Sequence, residues 1–409
     1  MKFYIVLMAF ILSMSIYCFF SIKTKSWLNI LTPQFLLAMP TIYLFEMIHL
    51  YYDGDSGSDF GYLVVYLIYT LPTLTFAIGY MYITPINSLT NIRCKTVNTS
   101  ALAIGFLIAG VLLYLPVMKQ FAGDLFNPRA IYIATRSGFG ISYYGSIMAC
   151  YLFCILALFN ASWGWKRKAA AVLFSVVFAY LHGSKGQIMT VLFIGMLYYI
   201  STSMERVKFW IVALVVALFG TFGVMAFYSM VSGVELGDLL LVMAGYSDYT
   251  RNAVMLIDSS RDLEWGRIFF EDNIFSRIPR ALYPDKPKDF GSFALALQYF
   301  PDSFYRDAGV PSFGVGVMYA DFGLLAVPVC ALTGFIGGLF TRTIMARLRM
   351  YANPGDFILL CFLSGIILIP IGSGNLLPEH IVLALLVYSV SHRSQLRAAP
   401  SGVHAVAGS

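Results

Sequence analysis

The chain has 409 residues, 59% hydrophobic and 12% charged, with a formal net charge of +6 and a mean hydropathy of +0.76. A soluble protein carries roughly twice that charged fraction, which excludes a chain of two or three soluble domains. The basic surplus is no sign of nucleic-acid binding, because membrane proteins gather Lys and Arg in short loops.

The apolar residues come in long blocks free of Asp, Glu, Lys and Arg: Phe3–Ile22, Ser26–Phe45, Phe60–Ile92, Ser100–Met118, Ser137–Trp165, Ala169–Ser184, Gly186–Met204, Phe209–Val234, Phe322–Thr341 and Phe357–Pro378. A last apolar stretch, Ile381–Val390, follows Glu379 and His380. A helix crosses the hydrocarbon core in about 20 apolar residues, so these blocks predict an all-α polytopic integral membrane protein with about eleven spans. The first block follows a single Lys with a long unbroken apolar run and reads as a retained helix. Ala169–Ser184 is short, and must tilt or end early in a protein-lined pocket. The 27 Tyr and 34 Phe fit aromatic belts at the two interfaces. The cysteines, Cys18, Cys94, Cys150, Cys154, Cys330 and Cys361, form no disulfide or zinc framework.

Loop charge predicts orientation. Lys23 with Lys25, Arg93 with Lys95, Lys166-Arg167-Lys168, Arg206 with Lys208, the cluster Arg342, Arg347 and Arg349, and Arg393 with Arg397 belong in the cytoplasm by the positive-inside rule. The acidic connection with Asp53, Asp55 and Asp59 faces outward. An odd span number then puts the N-terminus outside and the C-terminus inside. On this reading residues 1–397 are a single transmembrane domain, with outer loops at 119–143 and 232–312, and 398–409 is a disordered cytoplasmic tail. The loop 232–312 holds eight basic and twelve acidic residues besides apolar stretches. A loop this long is expected to contain short helices, lying over the outer face as a lid. No internal repeat is visible, which weighs against a transporter of repeated halves.

Several constellations can carry chemistry. Asn127-Pro-Arg129-Ala-Ile-Tyr132, with Arg136 and Gly140, precedes the fifth span. Arg277-Ile-Pro-Arg280-Ala-Leu-Tyr283, with Gly291, lies in the long loop. In each, ten residues separate an Arg from a Gly (Arg129 to Gly140, Arg280 to Gly291), a Pro precedes the Arg, and a Tyr follows three residues on. The guanidinium fork suits phosphate, and Gly lets backbone approach a bulky ligand. Two interfacial loops touching lipid headgroups explain the same residues. Tyr180-Leu-His182-Gly-Ser-Lys185-Gly-Gln187 is a turn too short to clear the lipid, so Lys185 either points into a cavity or snorkels. Gly309 to Gly323, with Asp321, can line a sugar pocket or pack helices. Glu379 and His380 can serve as acid and base or form an interfacial hydrogen-bonded pair. Asp248, Tyr249 and Arg251 can bind sugar or pyrophosphate, or pair at the surface. The absence of a P-loop and of a His-Glu-x-x-His argues against ATP use and zinc hydrolysis.

The two Arg-to-Gly loops, the Gly-Ser-Lys185-Gly turn, the Arg277-x-Pro-Arg280-x-Leu-Tyr283-Pro-x-Lys-Pro segment and the Gly-x-Gly…Tyr-x-Asp321-Phe-Gly entry to a span resemble the Wzy-type O-antigen or oligosaccharide repeat-unit polymerases of bacteria. The C-terminal histidine pattern of the related O-antigen ligases is reduced here to His380. The resemblance implies a GT-C-like membrane glycosyltransferase, needing no metal or nucleotide cofactor, at the periplasmic face of the inner membrane. Its substrates would be undecaprenyl-pyrophosphate-linked oligosaccharides amid membrane lipids, and its partner a Wzz-type chain-length co-polymerase. Arg129 and Arg280 would hold pyrophosphate, supported by Arg136, Arg277 and Lys185. Asp321 or His380 would be the base, and Tyr132, Tyr249, Tyr283 and Arg251 would contact substrate, with Gly140 and Gly291 closing the two loops. An O-antigen ligase shares this chemistry. A lipid-linked oligosaccharide flippase would instead carry charges along the spans.

Overall fold

A computed structural model describes residues 1–52, 57–90, 95–96, 99–124, 128–135, 139–183, 185–202, 244–259, 261–274, 278, 283–285, 287, 289–302, 311–368 and 392–393. The elements in chain order are α1 (Lys2–Thr24), α2 (Thr32–Ala38), a π-helical turn (Met39–Leu44), α3 (Phe45–Tyr52), α4 (Asp59–Tyr82), α5 (Asn87–Thr90), β1 (Lys95–Thr96), α6 (Thr99–Gln120), α7 (Pro128–Ala134), α8 (Gly140–Leu158), α9 (Trp165–Leu181) and α10 (Lys185–Thr202). After the 3₁₀ turn Gly245–Ser247 come α11 (Asp248–Asp258), α12 (Arg267–Asn273), α13 (Gly291–Tyr299), α14 (Gly316–Phe322), α15 (Ala326–Tyr351), α16 (Pro354–Leu368) and β2 (His392–Arg393). Among the described residues the structure is helical apart from the antiparallel pairing of Lys95 with Arg393 and Thr96 with His392.

Among the described residues, five helical runs are long and apolar enough to cross a membrane: Lys2–Thr24, Thr32–Tyr52, Asp59–Tyr82, Thr99–Gln120 and Gly316–Tyr351. The chain is a multi-pass helical membrane protein. Shorter apolar helices occupy Ser142–Leu158 and Gly186–Thr202. The apolar block Phe209–Val234 and the stretch Ile381–Val390 lie outside the described residues. In the second run Pro40 cannot donate a backbone N–H, and the helix widens to π geometry at Met39–Leu44.

The chain folds into two compact units, which comprise the described residues of 1–86, 244–342 and 362–368, and of 87–202, 343–361 and 392–393. In the first, α4 packs along α1 through Val6, Tyr62, Val65 and Ile68. Water gives no drive to helix association inside lipid, so small residues and hydrogen bonds must supply it. Gly334 and Gly338 of α15 form a small-xxx-small pair against the α4 backbone at Pro72 and Phe76, and Thr75 Oγ1 donates to Ala331 O at 2.6 Å. Ser13 and Tyr43 hydroxyls bond at 2.8 Å, and Gln34 Nε2 donates to Thr73 Oγ1 at 2.7 Å. Arg342 Nη1 ends α4 by donating to Tyr80 O and Met81 O at 2.8 and 2.7 Å.

In the second unit α6 lies along α8, with Gly110 against Ser146 and Ala149. Arg347 and Asp356 form a buried ion pair at 2.8 Å, and Arg347 also bonds Leu89 O. Charge-assisted bonds at both ends compensate the desolvation of that guanidinium.

Candidate functional site

In the first unit a buried carboxylate of one span gathers polar partners from other segments. Glu46, in the first turn of α3, is 0% exposed. Tyr62 Oη of α4 donates to its Oε1 at 2.6 Å, and Ser247 Oγ donates to Oε2 at 2.7 Å. Arg251, one turn into α11, lies with Nη1 3.5 Å from Oε2. Its Nη1 also donates to Ser247 Oγ at 3.1 Å, and Nη2 to Gly245 O at 3.2 Å. Three segments far apart in sequence thus meet on one carboxylate, and each of its oxygens accepts a bond.

Asp248 opens α11 beside this pair. Burial pushes its carboxyl above the ordinary carboxylate range; the Arg251 charge pulls it back, and the Glu46 charge adds to the rise. Tyr249 follows, close enough to Gly314 that a Cβ there would sit 3.2 Å from the Tyr249 Cβ. Gly314 has φ +50°, where a side chain is strained in any case. The far end of α11 is also pinned: Asp258 accepts from Ser58 N at 2.7 Å and from the Ser58 hydroxyl, which itself caps α4 through Gly61 N at 2.8 Å.

Asp321, on α14, is fully buried. Its Oδ1 accepts from Ile268 N at 3.0 Å and its Oδ2 from Phe269 N at 2.8 Å, so both oxygens cap the start of α12. The same arrangement recurs at the other end of α12. Glu271 Oε2 accepts from Gly291 N at 2.5 Å, and Asp272 Oδ1 from Ser292 N at 2.9 Å, capping α13. Gly291 has φ +56° and presses its backbone against Asp272, so any side chain there would collide with that carboxylate. Burial raises the Asp272 carboxyl to about 6, against the pull of the Ser292 hydrogen bonds. Outside this joint, Arg261 and Arg267 both bond Glu264, at 2.7 and 2.8 Å, and hold its carboxyl below the ordinary value.

In the second unit, Arg129 lies in the first turn of α7, where Pro128 suits the helix start. Gly140 opens α8 and Lys185 opens α10. The two motifs meet through Tyr143 of α8. Its ring lies 6.3 Å from that of Tyr132 and 5.0 Å from that of His182. Its hydroxyl donates to His182 O at 2.5 Å and accepts from Gln187 Nε2 at 3.3 Å. His182 is fully buried, bonding Phe178 O through Nδ1 and Ser146 Oγ through Nε2, both at 2.8 Å. The turn before Lys185 is therefore held rigidly from α8.

Tyr283 is exposed. Arg136, Arg277, Arg280 and His380 lie outside the described residues. Among the described residues, no group of three His, Cys, Asp or Glu side chains is arranged to hold a metal ion. Glu46, Tyr62 and Ser247 belong to none of the motifs singled out in the sequence. A usable signal was present: Glu46 is the only Asp, Glu, Lys or Arg between Lys25 and Asp53, and an ionisable group within a span marks a functional position by default.

The chain is similar along most of its length to two curated proteins. The O-antigen polymerases of Salmonella typhimurium (strain LT2) and of Salmonella typhi are each 35% identical to it over 368 residues, 89% of this chain and 89% of each relative. No family model and no solved structure matches the chain.

Proposed function

The chain belongs to the O-antigen polymerase family, and from that premise we propose that it joins undecaprenyl-pyrophosphate-linked repeat units into O-antigen or a related surface polysaccharide. The observation that carries this reading is the 35% identity sustained over 89% of both chains. In the proposed reaction the growing glycan moves from its carrier to the non-reducing end of a new repeat unit, at the periplasmic face of the inner membrane. The acceptor hydroxyl oxygen attacks the anomeric carbon. The bond from that carbon to the phosphate oxygen breaks, its electron pair leaves with the pyrophosphate, and the hydroxyl proton passes to a base.

Pyrophosphate leaves readily, so the main catalytic demand is stabilisation of charge growing on it. Preorganised guanidinium donors meet that demand. Arg129 and Arg280 are the proposed pyrophosphate ligands, with Arg136, Arg277 and Lys185 in support. His380 is the proposed base in preference to Asp321, because both Asp321 oxygens already accept backbone N–H bonds. Tyr132, Tyr249, Tyr283 and Arg251 are assigned to saccharide. A GT-C-like architecture and a Wzz-type partner belong to the same proposal.

A deletion strain tests the step. Loss of long glycan with retention of a single capped repeat is expected, and unchanged ladders overturn the reading. Arg129→Ala and Arg280→Ala are each expected to abolish long chains while membrane insertion persists. Arg→Lys at either position should restore activity only in part, since Lys lacks the bidentate fork. Normal ladders from both alanine variants would remove these two residues from the site.

A further inference from the structure

We infer that Arg251, Asp248 and Tyr249 form a subsite for the saccharide of the repeat unit, and that the buried Glu46 is the positioning residue that holds Arg251 there. The inference rests on the polymerase reading and adds to it a residue drawn from a membrane span.

The charge of the cluster selects the ligand. Two carboxylates, Glu46 and Asp248, stand with one guanidinium, Arg251, so the group is formally negative and repels a pyrophosphate. A neutral polyol gains from the same groups, because sugar hydroxyls can donate to a carboxylate and accept from a guanidinium at once. The Arg251 side chain is 18% exposed, and its Nε–H has no partner among the described residues. Tyr249, next to Asp248 in the chain, has an aromatic ring, a group on which a pyranose can pack.

A purely structural clamp explains the cluster less well. The end of α11 at Asp258 is already fixed to α4 by two hydrogen bonds from Ser58, so docking of the helix does not require an ionic contact at Arg251. Desolvating a carboxylate merely to dock a helix is unfavourable beside apolar packing of the same volume. Glu46 is instead bonded so as to leave it no freedom: Tyr62 fixes one oxygen, and Ser247 with Arg251 fixes the other. Arg251 is then held in one orientation from below, by Glu46 and Ser247 on Nη1 and Gly245 O on Nη2.

Glu46→Gln tests this with little disturbance. Its hydrogen-bond partners are hydroxyls, which can reverse donor and acceptor roles, so the packing survives while the charge that fixes Arg251 is lost. The full-length protein is assayed in detergent and in phospholipid nanodiscs with lipid-linked repeat units. Soluble carrier-free repeat-unit oligosaccharide and inorganic pyrophosphate serve as separate inhibitors. Wild-type protein that does not elongate refutes the polymerase reading itself. Given elongation, E46Q and Arg251→Lys should each raise KM and weaken oligosaccharide inhibition by about tenfold, the order expected for one charge-assisted hydrogen bond, with kcat within about threefold. Inhibition by pyrophosphate should stay unchanged, as should all constants of the control Ser58→Ala, which loosens the distal clamp at Asp258 and the α4 cap at Gly61 while leaving the bonds to Glu46 in place. Should E46Q fail to fold, R251K alone carries the comparison. Weakened pyrophosphate inhibition, a matching KM shift in S58A, or an effect confined to phospholipid would overturn the inference, assigning the cluster to phosphate, to docking, or to headgroups respectively.

Discussion

Asp321 has two chemically distinct roles open to it, and neutralising it separates them. As a helix cap, its oxygens receive Ile268 N at 3.0 Å and Phe269 N at 2.8 Å. An amide offers one oxygen in place of two and turns its NH₂ toward a backbone N–H. Asp321→Asn should therefore lower stability by about 1–2 kcal/mol, the usual cost of a lost cap, read as a fall in the thermal midpoint of the purified protein. Polymer made below that midpoint should persist at reduced yield. A general base behaves otherwise: its loss lowers rate by about 10²–10⁴ with the thermal midpoint unmoved. That second pattern would return Asp321 to the chemistry and displace His380 as the proposed base.

The joint between α12 and α13 makes a prediction at the scale of elements, because it is built on carboxylates that titrate. Burial lifts the Asp272 carboxyl to about 6, with the Asp321 and Glu271 charges adding to the rise. The unfolded chain holds that proton with a pKa of about 3.9. The folded form binds it more tightly, so the contribution of Asp272 to stability is complete below about pH 4 and is lost as pH rises through about 6. Asp272→Asn should raise the thermal midpoint at pH 7.5, by an amount equivalent to as much as about 3 kcal/mol. The gain over wild type should shrink steadily toward pH 5. A variant that is no more stable than wild type at pH 7.5 would refute the assignment. Such joints are also where sequence reading ends. The spans were legible because a bilayer imposes length and apolarity on contiguous residues: Phe3–Ile22 is matched by α1, Ser100–Met118 by α6, and the start of Phe60–Ile92 by α4. The block Ser137–Trp165 is matched by the shorter α8. Gly291 was legible as a position needing glycine, but its reason is the Asp272 carboxylate on another helix. Glu46 was visible as a lone charge, yet its partners Ser247 and Arg251 lie some 200 residues away, and nothing local encodes their meeting. Arg277, Arg280 and His380 remain known from sequence pattern alone.

For the whole molecule, the decisive property is the side of the membrane on which each loop lies. Orientation follows from an energetic asymmetry: Lys and Arg in short loops resist translocation, whereas long loops cross largely regardless of charge. The knot Lys166-Arg167-Lys168 at the start of α9 is short and basic, and should remain in the cytoplasm. The segment containing α11, α12 and α13 is long, with twelve acidic and eight basic residues across 232–312, and should be translocated. Reporters inserted into the full-length chain test this directly. Alkaline phosphatase placed at the exposed Asp262 should be active, and silent at Lys166 or after Ser409. A fluorescent protein that matures only in the cytoplasm should give the reverse. The proposed chemistry depends on this result, because a carrier presenting its pyrophosphate on the outer face can meet Arg129 and Arg280 only if their segments are there too. Phosphatase silent at Asp262, with fluorescence in its place, would put the Arg280 segment on the wrong side of the bilayer and end the pyrophosphate assignment, whatever the phenotype of the arginine variants.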